Sequence, residues 1–411
     1  MHTYLVGGAV RDRLLGMPVT ERDWVVVGAA EGDLEALGYR RVGRAFPVYL
    51  HPETKEEYAM ARTETKTGPG YRGFDVRADE HVTLEEDLGR RDLTINAIAE
   101  DTDGRLIDPY GGRRDLEAGI LRHVTDAFRE DPVRILRVAR FAARYADRGF
   151  TVAQETLRLM RAMVAGGEVD TLVAERVWQE TQRALGEPRP DAFVSALRDV
   201  GALAIVYPEV DALFGVPQPA RWHPEIDAGV HVLMTLRMAA ELDASAAARF
   251  AVMVHDVGKG TTPTTMLPRH IGHEERGVEL IEALCRRAGV PNRYRELAVL
   301  VARYHGVVHR AADLKPATIL KVLEALGAFR REDALDDFLL ACEADARGRA
   351  GLEESPYPQA ARFRAARDAA AAISAEPFLR EGLAGPALGE AVRNARIAAV
   401  ASLTDMPAAR G

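Results

Sequence analysis

The feature that most constrains the fold is a change in hydrophobic patterning near residue 126. Before it, short apolar runs at 4–6, 24–27, 48–50 and 57–61 are separated by glycine-rich turns and one helical stretch at 10–15. After it, such runs vanish and apolar residues recur at every third or fourth position, as an amphipathic helix requires. The pattern predicts an α+β protein with a small mixed α/β head and a long all-α body.

The chain is long enough for several domains. At 411 residues it exceeds what one hydrophobic core usually holds. Clusters of glycine and proline at 166–167, 187–190 and 215–219 divide the helical part into blocks, and the proline-rich stretch 207–224 is the predicted connection between domains. We predict four segments, namely a head (1–125), a helical neck (126–215), a third domain (216–345) and a helical tail (346–411).

Composition excludes several classes of protein. No apolar run approaches the roughly 18 residues of a membrane span, and the first residues lack the features of a signal peptide. The two cysteines, Cys285 and Cys342, have no metal-ligand spacing. We therefore expect a cytoplasmic protein without a membrane partner, either a monomer or a homodimer.

The distribution of charge indicates one site for a polyanion. The net charge of −8 argues against a generally basic surface. Between residues 122 and 161, however, nine arginines stand against five acidic residues. In an acidic protein such a stripe indicates either a local nucleic-acid or phosphate site, or a solvated helix face.

Two segments near the start of the chain indicate a site for a metal and a triphosphate. Gly7 and Gly8 end an apolar run, and a backbone without Cβ can approach a phosphate closely, while Arg11 lies one helical turn further on. Glu21 and Asp23 stand at alternate positions, so an extended strand would place both carboxylates on one face, an arrangement that suits Mg²⁺. The alternative is a glycine turn without a ligand beside an ordinary surface ion pair.

A second group of charged residues occupies 90–97. Arg90 and Arg91 are predicted to hold triphosphate oxygens, and Asp92 with Arg91 to contact the ribose hydroxyls of a nucleotide. Alternatively, Asp92 caps a helix that runs through Ile95 and Ala97.

The segment 130–134 indicates recognition of a base. Asp131 and Arg134 are three residues apart, and therefore on one face of a helix. A carboxylate and a guanidinium side by side match the amine and ring nitrogen of cytosine or adenine, whereas guanine and uracil present the opposite pattern. Alternatively, Asp131 caps the helix that begins at Pro132. Arg137, Arg140 and Arg144 continue the stripe and are predicted to bind triphosphate or RNA.

Taken together and in order, these segments resemble the class II nucleotidyltransferases of the polymerase-β superfamily. They resemble most closely the bacterial CCA-adding enzymes, the tRNA nucleotidyltransferases that carry an HD domain. The resemblance covers essentially the whole chain and rests on residues 5–12, 23–28, 90–97, 130–134, 137–144 and 222–225 and on the histidines that follow.

The resemblance implies template-independent addition of C, C and A to the 3′ end of tRNA, with CTP and ATP as substrates and Mg²⁺ as the metal. Glu21 and Asp23 would be catalytic and hold Mg²⁺, although the family generally has aspartate at both positions. The implied contacts to the nucleotide come from Gly8, Arg11, Arg91, Asp131, Arg134, Arg137 and Arg140.

A second metal site is expected in the body. His255 and Asp256 end an apolar run and are followed by Gly-Lys-Gly. Together with four further histidines they resemble the HD-superfamily phosphohydrolases, in which imidazole and carboxylate hold a transition metal, often Ni²⁺. The resemblance implies 2′,3′-cyclic phosphodiesterase, 2′-nucleotidase and phosphatase activities. The expected ligands are His231, His255, Asp256 and Asp345; His270, His273 and His305 are the other histidines of this group, and the alternative is that the histidines cap helices and line the core.

Two other functions fit parts of this pattern. A bacterial poly(A) polymerase shares the head, but the histidine-rich body favours the CCA-adding enzymes. A phosphohydrolase whose head only binds RNA is the second alternative. Four aromatic residues are candidates for stacking on RNA or for core packing, namely Trp178, Tyr207, Phe214 and Trp222.

Overall fold

The computed structural model describes residues 1–30, 32–42, 48–66 and 74–403. The chain divides into two compact units. Unit 1 comprises residues 1–184 and 192–206, and unit 2 comprises residues 185–191 and those from 207 onward. Unit 1 contains the sheet and unit 2 is helical, which confirms the predicted α+β class. One pair of two-residue strands, with its second member at Thr151–Val152, departs from the expectation that strands end near residue 126.

The main sheet of unit 1 has seven strands in the order β3-β4-β5-β2-β1-β8-β9. Strand β2 pairs in parallel with β5 and antiparallel with β1, so the sheet is mixed. The strands are β1 (His2–Val6), β2 (Asp23–Val27), β3 (Arg40–Val42), β4 (Val48–Leu50), β5 (Glu57–Met60), β6 (Thr63–Lys66), β7 (Phe74–Arg77), β8 (Ala99–Glu100), β9 (Leu106–Ile107), β10 (Ile120–Leu121) and β11 (Thr151–Val152).

Alternation along β2 gives the sheet two apolar faces. Val25 packs with Val6 and Leu88 on one face, whereas Val26 packs with Leu34 and Met60 on the other. Successive side chains of a strand point to opposite faces, so a valine run of this kind requires cover on both sides. This central position of β2 makes Asp23, its first residue, a rigidly placed group at the edge of the core.

The helices of unit 1 follow the predicted periodicity. In α5, Ile135, Leu136 and Ala139 are fully buried, and the arginines of the stripe lie between these apolar positions. The helices are α1 (Gly8–Leu14), α2 (Asp33–Ala36), α3 (Leu84–Gly89), α4 (Gly112–Ala118), α5 (Val133–Tyr145), α6 (Gln154–Ala165), α7 (Ala174–Leu185), α8 (Pro190–Asp199) and α9 (Leu203–Val206).

Unit 2 is built around one apolar helix. Every residue of α12 from Ala247 to Val254 is buried, and the helix packs against α11, α14 and α16. Among the residues that the structure describes, no helix is long and apolar enough to cross a bilayer. The helices are α10 (Pro208–Asp211), α11 (Ala228–Glu241), α12 (Ala246–Val254), α13 (His273–Arg287), α14 (Asn292–Val308), α15 (Pro316–Ala325), α16 (Glu332–Arg347), α17 (Pro358–Ala371), α18 (Glu376–Arg380) and α19 (Gly385–Ser402).

A short segment from the middle of the chain, residues 185–191, belongs to unit 2 although the residues on both sides of it belong to unit 1. The buried guanidinium of Arg249 donates to the carbonyl oxygens of Leu185 and Glu187, both at 2.9 Å, and to that of Ala244. A buried cation requires such partners, so this segment is part of the unit 2 core.

Substitution Gly112→Ala is expected to destabilise unit 1. A Cβ at Gly112 would lie 2.2 Å from the carbonyl oxygen of Thr94 and 2.7 Å from a side-chain carbon of Ile98. Since the backbone cannot move aside cheaply, we expect a loss of about 1–3 kcal/mol in the free energy of unfolding, measured by urea denaturation. Gly389→Ala is the control, because its Cβ meets nothing within 4 Å. Equal stability of the two variants would contradict the expected clash.

Candidate active sites

The glycine turn after β1 lies at the same end of the sheet as Asp23. The antiparallel register pairs Val6 with Asp23, so the turn at Gly7 follows directly after the residue that lies opposite Asp23. Gly7 has φ +69°, and a Cβ there would lie 2.9 Å from Nη1 of Arg91. Only glycine therefore combines this backbone conformation with the close approach of the guanidinium. The turn, a carboxylate and a cation converge on one small region.

Asp23 and Glu21 differ in how firmly the fold holds them. Asp23 begins β2, whereas Glu21 precedes the strand and is exposed, so strand alternation does not determine the direction of its side chain. Asp23 is accessible to solvent, yet desolvation raises its pKa, Arg91 lowers it, and Glu21 raises it again. The net direction is upward, so a bound cation would favour the ionised carboxylate.

Four side chains form a hydrogen-bonded chain behind this region. Nη1 of Arg11 donates to Oδ1 of Asn96 at 2.5 Å, and Nδ2 of Asn96 donates to Oδ1 of Asp92 at 2.9 Å. Nε of Arg137 donates to Oδ2 of Asp92 at 2.7 Å. Burial would raise the pKa of Asp92, but Arg137 and Asn96 hold it well below its usual range. Both oxygens of Asp92 are engaged within the protein, which favours a role in orienting Arg137.

The alternative in which Asp92 caps a helix through Ile95 and Ala97 does not fit the structure. Residues Thr94–Asn96 form a single 3₁₀ turn preceded by Leu93 in an extended conformation, and Leu93 bridges to His123. Asp92 bonds the amide of Leu93 instead. The turn presents Asn96 to Arg11, which a continuous helix through Ala97 would not do.

Carboxylates distant in sequence hold the arginine stripe in place. Oε2 of Glu180, a buried residue on α7, accepts from Nε of Arg140 at 2.7 Å, and Oε1 lies 3.8 Å from Arg137. Arg144 lies 3.4 Å from Oδ2 of Asp12. The stripe is therefore not a simple solvated face, because these three arginines are paired and oriented by the fold. Glu180 and Asp12 were not identified from the sequence.

Asp131 is paired with an arginine that sequence reasoning missed. Arg176 of α7 donates to both carboxylate oxygens, at 2.9 and 2.7 Å. Arg134, three residues further along, is buried and donates to the carbonyl of Ala127 at 2.7 Å. Asp131 also accepts from the amide of Val133 at 3.1 Å, but α5 begins at Val133 and its N-cap is Pro132, so Asp131 lies one residue before the capping position. Each carboxylate oxygen has two lone pairs, so an acceptor position is still available on Asp131.

The histidines of unit 2 converge in its interior. His231 lies on α11, His255 and Asp256 follow the end of α12, His273 begins α13, and His305 is on α14. Asp345, near the end of α16, lies 3.0 Å from His231 and 3.6 Å from His255. The four expected ligands therefore come together, and His273 and His305 join them at 3.5 and 3.9 Å from Asp256.

Backbone carbonyls orient three of these rings. Nδ1 of His255 contacts the carbonyl of Val252 at 2.7 Å, Nδ1 of His273 that of His270 at 2.8 Å, and Nδ1 of His305 that of Val301 at 2.9 Å. A carbonyl can only accept, so Nδ1 carries the proton in each ring. In the neutral ring the lone pair is then on Nε2, which faces the cluster and is the arrangement that a metal requires.

The cluster fits a metal ion. Buried Nε2 atoms of His255 and His273 and both carboxylate oxygens of Asp256 have no well-formed hydrogen bond within the described chain. Their ligand atoms lie within 4.8 Å of one another in overlapping groups of three, of which His231-His255-Asp256, His255-His305-Asp345 and Asp256-His273-His305 contain these residues. Unsatisfied buried polar atoms are costly, so a cation with this donor set would stabilise the site.

The pKa values of the histidine rings in the cluster are shifted in opposite directions. Burial alone would lower the pKa of His255, but the carboxylates of Asp256 and Asp345 raise it to about 10. Burial lowers the pKa of His305 to about 3, so that ring is neutral. Both carboxylates keep a pKa well below the usual value despite burial, chiefly because of His255. The site therefore offers a cation two anionic carboxylates and the neutral ring of His305, whereas His255 holds a proton that a bound cation would displace.

Two further residues of this site were missed. His309 lies 2.7 Å from Oδ2 of Asp345, and its spacing of four from His305 on one helix is the signal that could have found it. The buried carboxylate of Glu225 lies 2.9 Å from Nδ1 of His231. His270, by contrast, has both ring nitrogens engaged, by Thr262 and by the carbonyl of Pro217, and lies outside the cluster.

Three family models match this chain. Residues 3–122 match the poly A polymerase head domain, residues 149–214 the probable RNA- and SrmB-binding site of polymerase A, and residues 229–336 the HD domain. The HD match includes His231, His255 and Asp256, whereas Asp345 lies beyond its end.

Similar proteins were found over nearly the full length. A multifunctional CCA protein of Thioalkalivibrio sulfidiphilus is 64% identical over 403 residues, with 98% of each chain covered. The CCA-adding enzyme of Bacillus stearothermophilus in complex with CTP has a TM-score of 0.64 at 23% identity, covering 98% of this chain and 89% of that one. The Thermotoga maritima CCA-adding enzyme complexed with tRNA has a TM-score of 0.64 at 19% identity, covering 99% and 88%.

The solved structures share the fold, and the high identity to a full-length relative establishes the family. The chain therefore belongs to the multifunctional CCA proteins and is a nucleotidyltransferase with an HD domain.

Proposed function

We propose that this enzyme adds C, C and A to the 3′ end of tRNA, using CTP and ATP and no nucleic-acid template. The observation that carries the proposal is the 64% identity, over 98% of both chains, to a protein named for CCA. Proteins of the same fold are known in complex with CTP and with tRNA. A tRNA substrate implies a cytoplasmic location.

In the proposed mechanism, Asp23 and Glu21 would hold Mg²⁺, which would supply charge neutralisation at the triphosphate and lower the pKa of the attacking 3′-hydroxyl of tRNA. The backbone of the Gly7-Gly8 turn approaches the phosphates, and Arg91 beside it binds their oxygens. Among the described residues, the candidate metal groups of three all lie in unit 2. Two carboxylates are nevertheless sufficient, because Mg²⁺ commonly completes its shell with substrate phosphates and water.

The buried network organises the nucleotide site. Asp92 and Asn96 fix Arg11 and Arg137, and Glu180 fixes Arg140. Of these three cations, Arg137 is the one with an exposed fraction large enough, about one third of its side chain, to meet a ligand directly. We assign triphosphate binding to Arg91 and Arg137, and the positioning of these groups to Arg11, Asp92 and Arg140.

Base selection is assigned to Asp131 and Arg134. The carboxylate accepts from the exocyclic amine of cytosine or adenine, and the guanidinium donates to the adjacent ring nitrogen. Guanine and uracil would set a carbonyl against the carboxylate and an N–H against the guanidinium. A site that leaves buried polar groups unpaired rejects a ligand strongly. Arg176 holds the carboxylate in place through two hydrogen bonds.

Incorporation of single labelled nucleotides into tRNA that ends before CCA tests the proposal. We expect C to enter twice and A once, and neither G nor U to enter. A poly(A) polymerase would instead add A alone and repeatedly. A phosphohydrolase with an RNA-binding head would add nothing, and either of these results would overturn the proposal.

Substitution Asp131→Ala or Arg134→Ala is expected to weaken selection. Loss of either side chain removes a hydrogen bond to C and A, so kcat/KM for CTP should fall about tenfold or more. It also removes the clash with G and U, so misincorporation of these nucleotides should rise. The measurement is competitive incorporation from mixed nucleotides. Asp126→Ala, an exposed acidic residue before the same helix, is the control. Unchanged selectivity in both variants would show that the base is read elsewhere.

The HD domain is proposed to act as a metal-dependent phosphohydrolase on RNA 3′ ends, with 2′,3′-cyclic phosphodiesterase, 2′-nucleotidase and phosphatase activities and Ni²⁺ as a metal. The observation that supports it is the set of buried ligand atoms on His255, Asp256 and His273 that make no hydrogen bond among the described residues. His231, His305 and Asp345 complete the donor set, which mixes imidazole and carboxylate as transition metals prefer. When bound, the metal would supply a nucleophilic hydroxide for hydrolysis.

A further inference from the structure

A cleft beside the metal cluster has no role in the functions proposed so far. Its volume is about 410 Å³, which falls in the range of small-ligand sites. Gln218, Trp222 and Lys259 line the cleft, together with His273 of the metal cluster. All of them belong to unit 2, so the cleft is formed within one compact unit.

Lys259 connects the cleft to the metal cluster. Its side chain is buried, with the ammonium 2.6 Å from Oδ2 of Asp256. The same ammonium donates to Oε1 of Gln218 at 2.6 Å. A ligand group that contacts the ammonium of Lys259 is therefore separated from the carboxylate of Asp256 by that single side chain.

Gln218 presents an unused donor. It is 3% exposed, and its Nε2 has no hydrogen-bond partner among the described residues. Because an ammonium can only donate, Lys259 identifies the oxygen end of the amide, and the remaining end must be the NH₂ group. The backbone amide of Gln218 donates to the carbonyl of Ile226 at 2.6 Å, so the loop that carries it is tied down. A buried amide donor beside an ammonium suits an anionic oxygen.

Trp222 lies at the rim of the same cleft. It is 57% exposed, and the guanidinium carbon of the neighbouring Arg221 lies 4.8 Å from the centre of its ring. A large aromatic side chain that remains exposed is uncommon, and beside a phosphate site it offers a surface on which a base can stack. Trp178 and Tyr207, also candidates for stacking, are buried and serve the core.

We propose that this cleft binds the terminal nucleotide of the phosphohydrolase substrate, with the phosphate at C2′ or C3′ held by Gln218 and Lys259 and the base stacked on Trp222. The inference rests on the phosphohydrolase activity proposed above for the HD domain. It adds the place in unit 2 where the terminal nucleotide binds, the roles of Lys259 and Trp222 in holding it, and one residue, Gln218, that the family resemblance did not supply.

The first test separates phosphate from base recognition, using the full-length, metal-loaded enzyme. With 2′-AMP as substrate, Trp222→Ala and Gln218→Leu are each expected to raise KM about tenfold or more. With glycerol 2-phosphate, which has no base, only Gln218→Leu should raise KM. Leu379→Ala removes a side chain that is 53% exposed elsewhere in unit 2 and should change neither value. Equal effects of Trp222→Ala on both substrates, or no effect of either variant, would overturn the inference.

A binding measurement keeps this inference distinct from the activity itself. The quenching of tryptophan fluorescence by 2′-AMP is compared in the wild type and in Trp222→Phe, so that a signal from a nucleotide bound elsewhere is common to both and cancels. A saturable signal present only in the wild type, and weakened by the near-isosteric Gln218→Glu, supports the cleft even if no phosphate is released. Its absence in a protein that does release phosphate counts against the cleft alone.

The source of the ligand is resolved by a further comparison. The same titration with an oligonucleotide that ends in a 2′-phosphate tests whether the natural ligand is an RNA end or a free nucleotide. Binding at least tenfold tighter than that of 2′-AMP, with the same dependence on Trp222, supports an RNA end. Equal binding supports a free nucleotide, and loss of the Trp222 dependence overturns the inference.

Discussion

Substitution Asp23→Asn is expected to abolish nucleotide addition. Asp23 is the first residue of a central strand, pairs with Val6 in the register of β1 and β2, and lies close enough to Arg91 for the guanidinium to lower the pKa of its carboxyl. An amide of the same shape would keep the packing but lose the charge that we propose binds Mg²⁺. We expect kcat for addition of C to fall by at least about 10³-fold, which corresponds to the several kcal/mol that a metal ion supplies to a transition state.

The matched comparison is Glu21→Gln. Glu21 lies outside β2 and is exposed, and its longer side chain leaves its reach less determined. We expect a smaller loss than for Asp23→Asn, and a loss that added Mg²⁺ partly restores. Incorporation of labelled CTP into tRNA, at several concentrations of Mg²⁺, measures both variants. Full activity of Asp23→Asn would show that the catalytic metal is held elsewhere.

Substitution Asp256→Asn is expected to abolish metal binding in unit 2 and with it the release of phosphate. The carboxylate of Asp256 lies within 4.0 Å of four histidines and 2.6 Å from Lys259. The substitution removes the carboxylate that lies among these histidines, so phosphate release should fall by at least about 10³-fold. Metal content by mass spectrometry and phosphate release from 2′-AMP are the two measurements.

Addition of CTP to tRNA by Asp256→Asn should remain near that of the wild type, because the head residues are unchanged. Asp336→Asn, an exposed aspartate on the same helix as Asp345, is the control and should bind metal normally. Normal metal content in Asp256→Asn would contradict the assignment of this ligand. Loss of tRNA extension together with phosphate release would indicate that the substitution unfolds the protein.

Local sequence patterns predicted the helices and strands that carry the two candidate sites, and one or two residues of each site. The valine run and the paired glycines determine β2 and the turn before α1, so Asp23 and Gly7 could be located in advance. The apolar run before His255 likewise indicated a buried helix that ends at the metal site. Such features follow from periodicity and from the conformational freedom of glycine, both of which are local.

The partners of these residues could not be predicted, because they come from distant parts of the chain. Glu180 is 40 residues from Arg140, and Arg176 is 45 residues from Asp131. Helical spacing places the arginines on one face but carries no information about which carboxylates face them. Asp345 was found only through resemblance. The spacing of His309 from His305 could have indicated that residue, whereas no local pattern showed that Glu225 contacts His231.

Because residues 185–191 belong to unit 2, the protein cannot be divided into two fragments at one position. The chain passes between the two units three times, so no single cleavage point yields both as intact fragments. An amino-terminal fragment ending at Val206 would carry away Leu185 and Glu187, and the remaining piece would keep Arg249 with only the carbonyl of Ala244. We therefore expect the excised HD half to be soluble only when this heptapeptide is grafted back or supplied in trans.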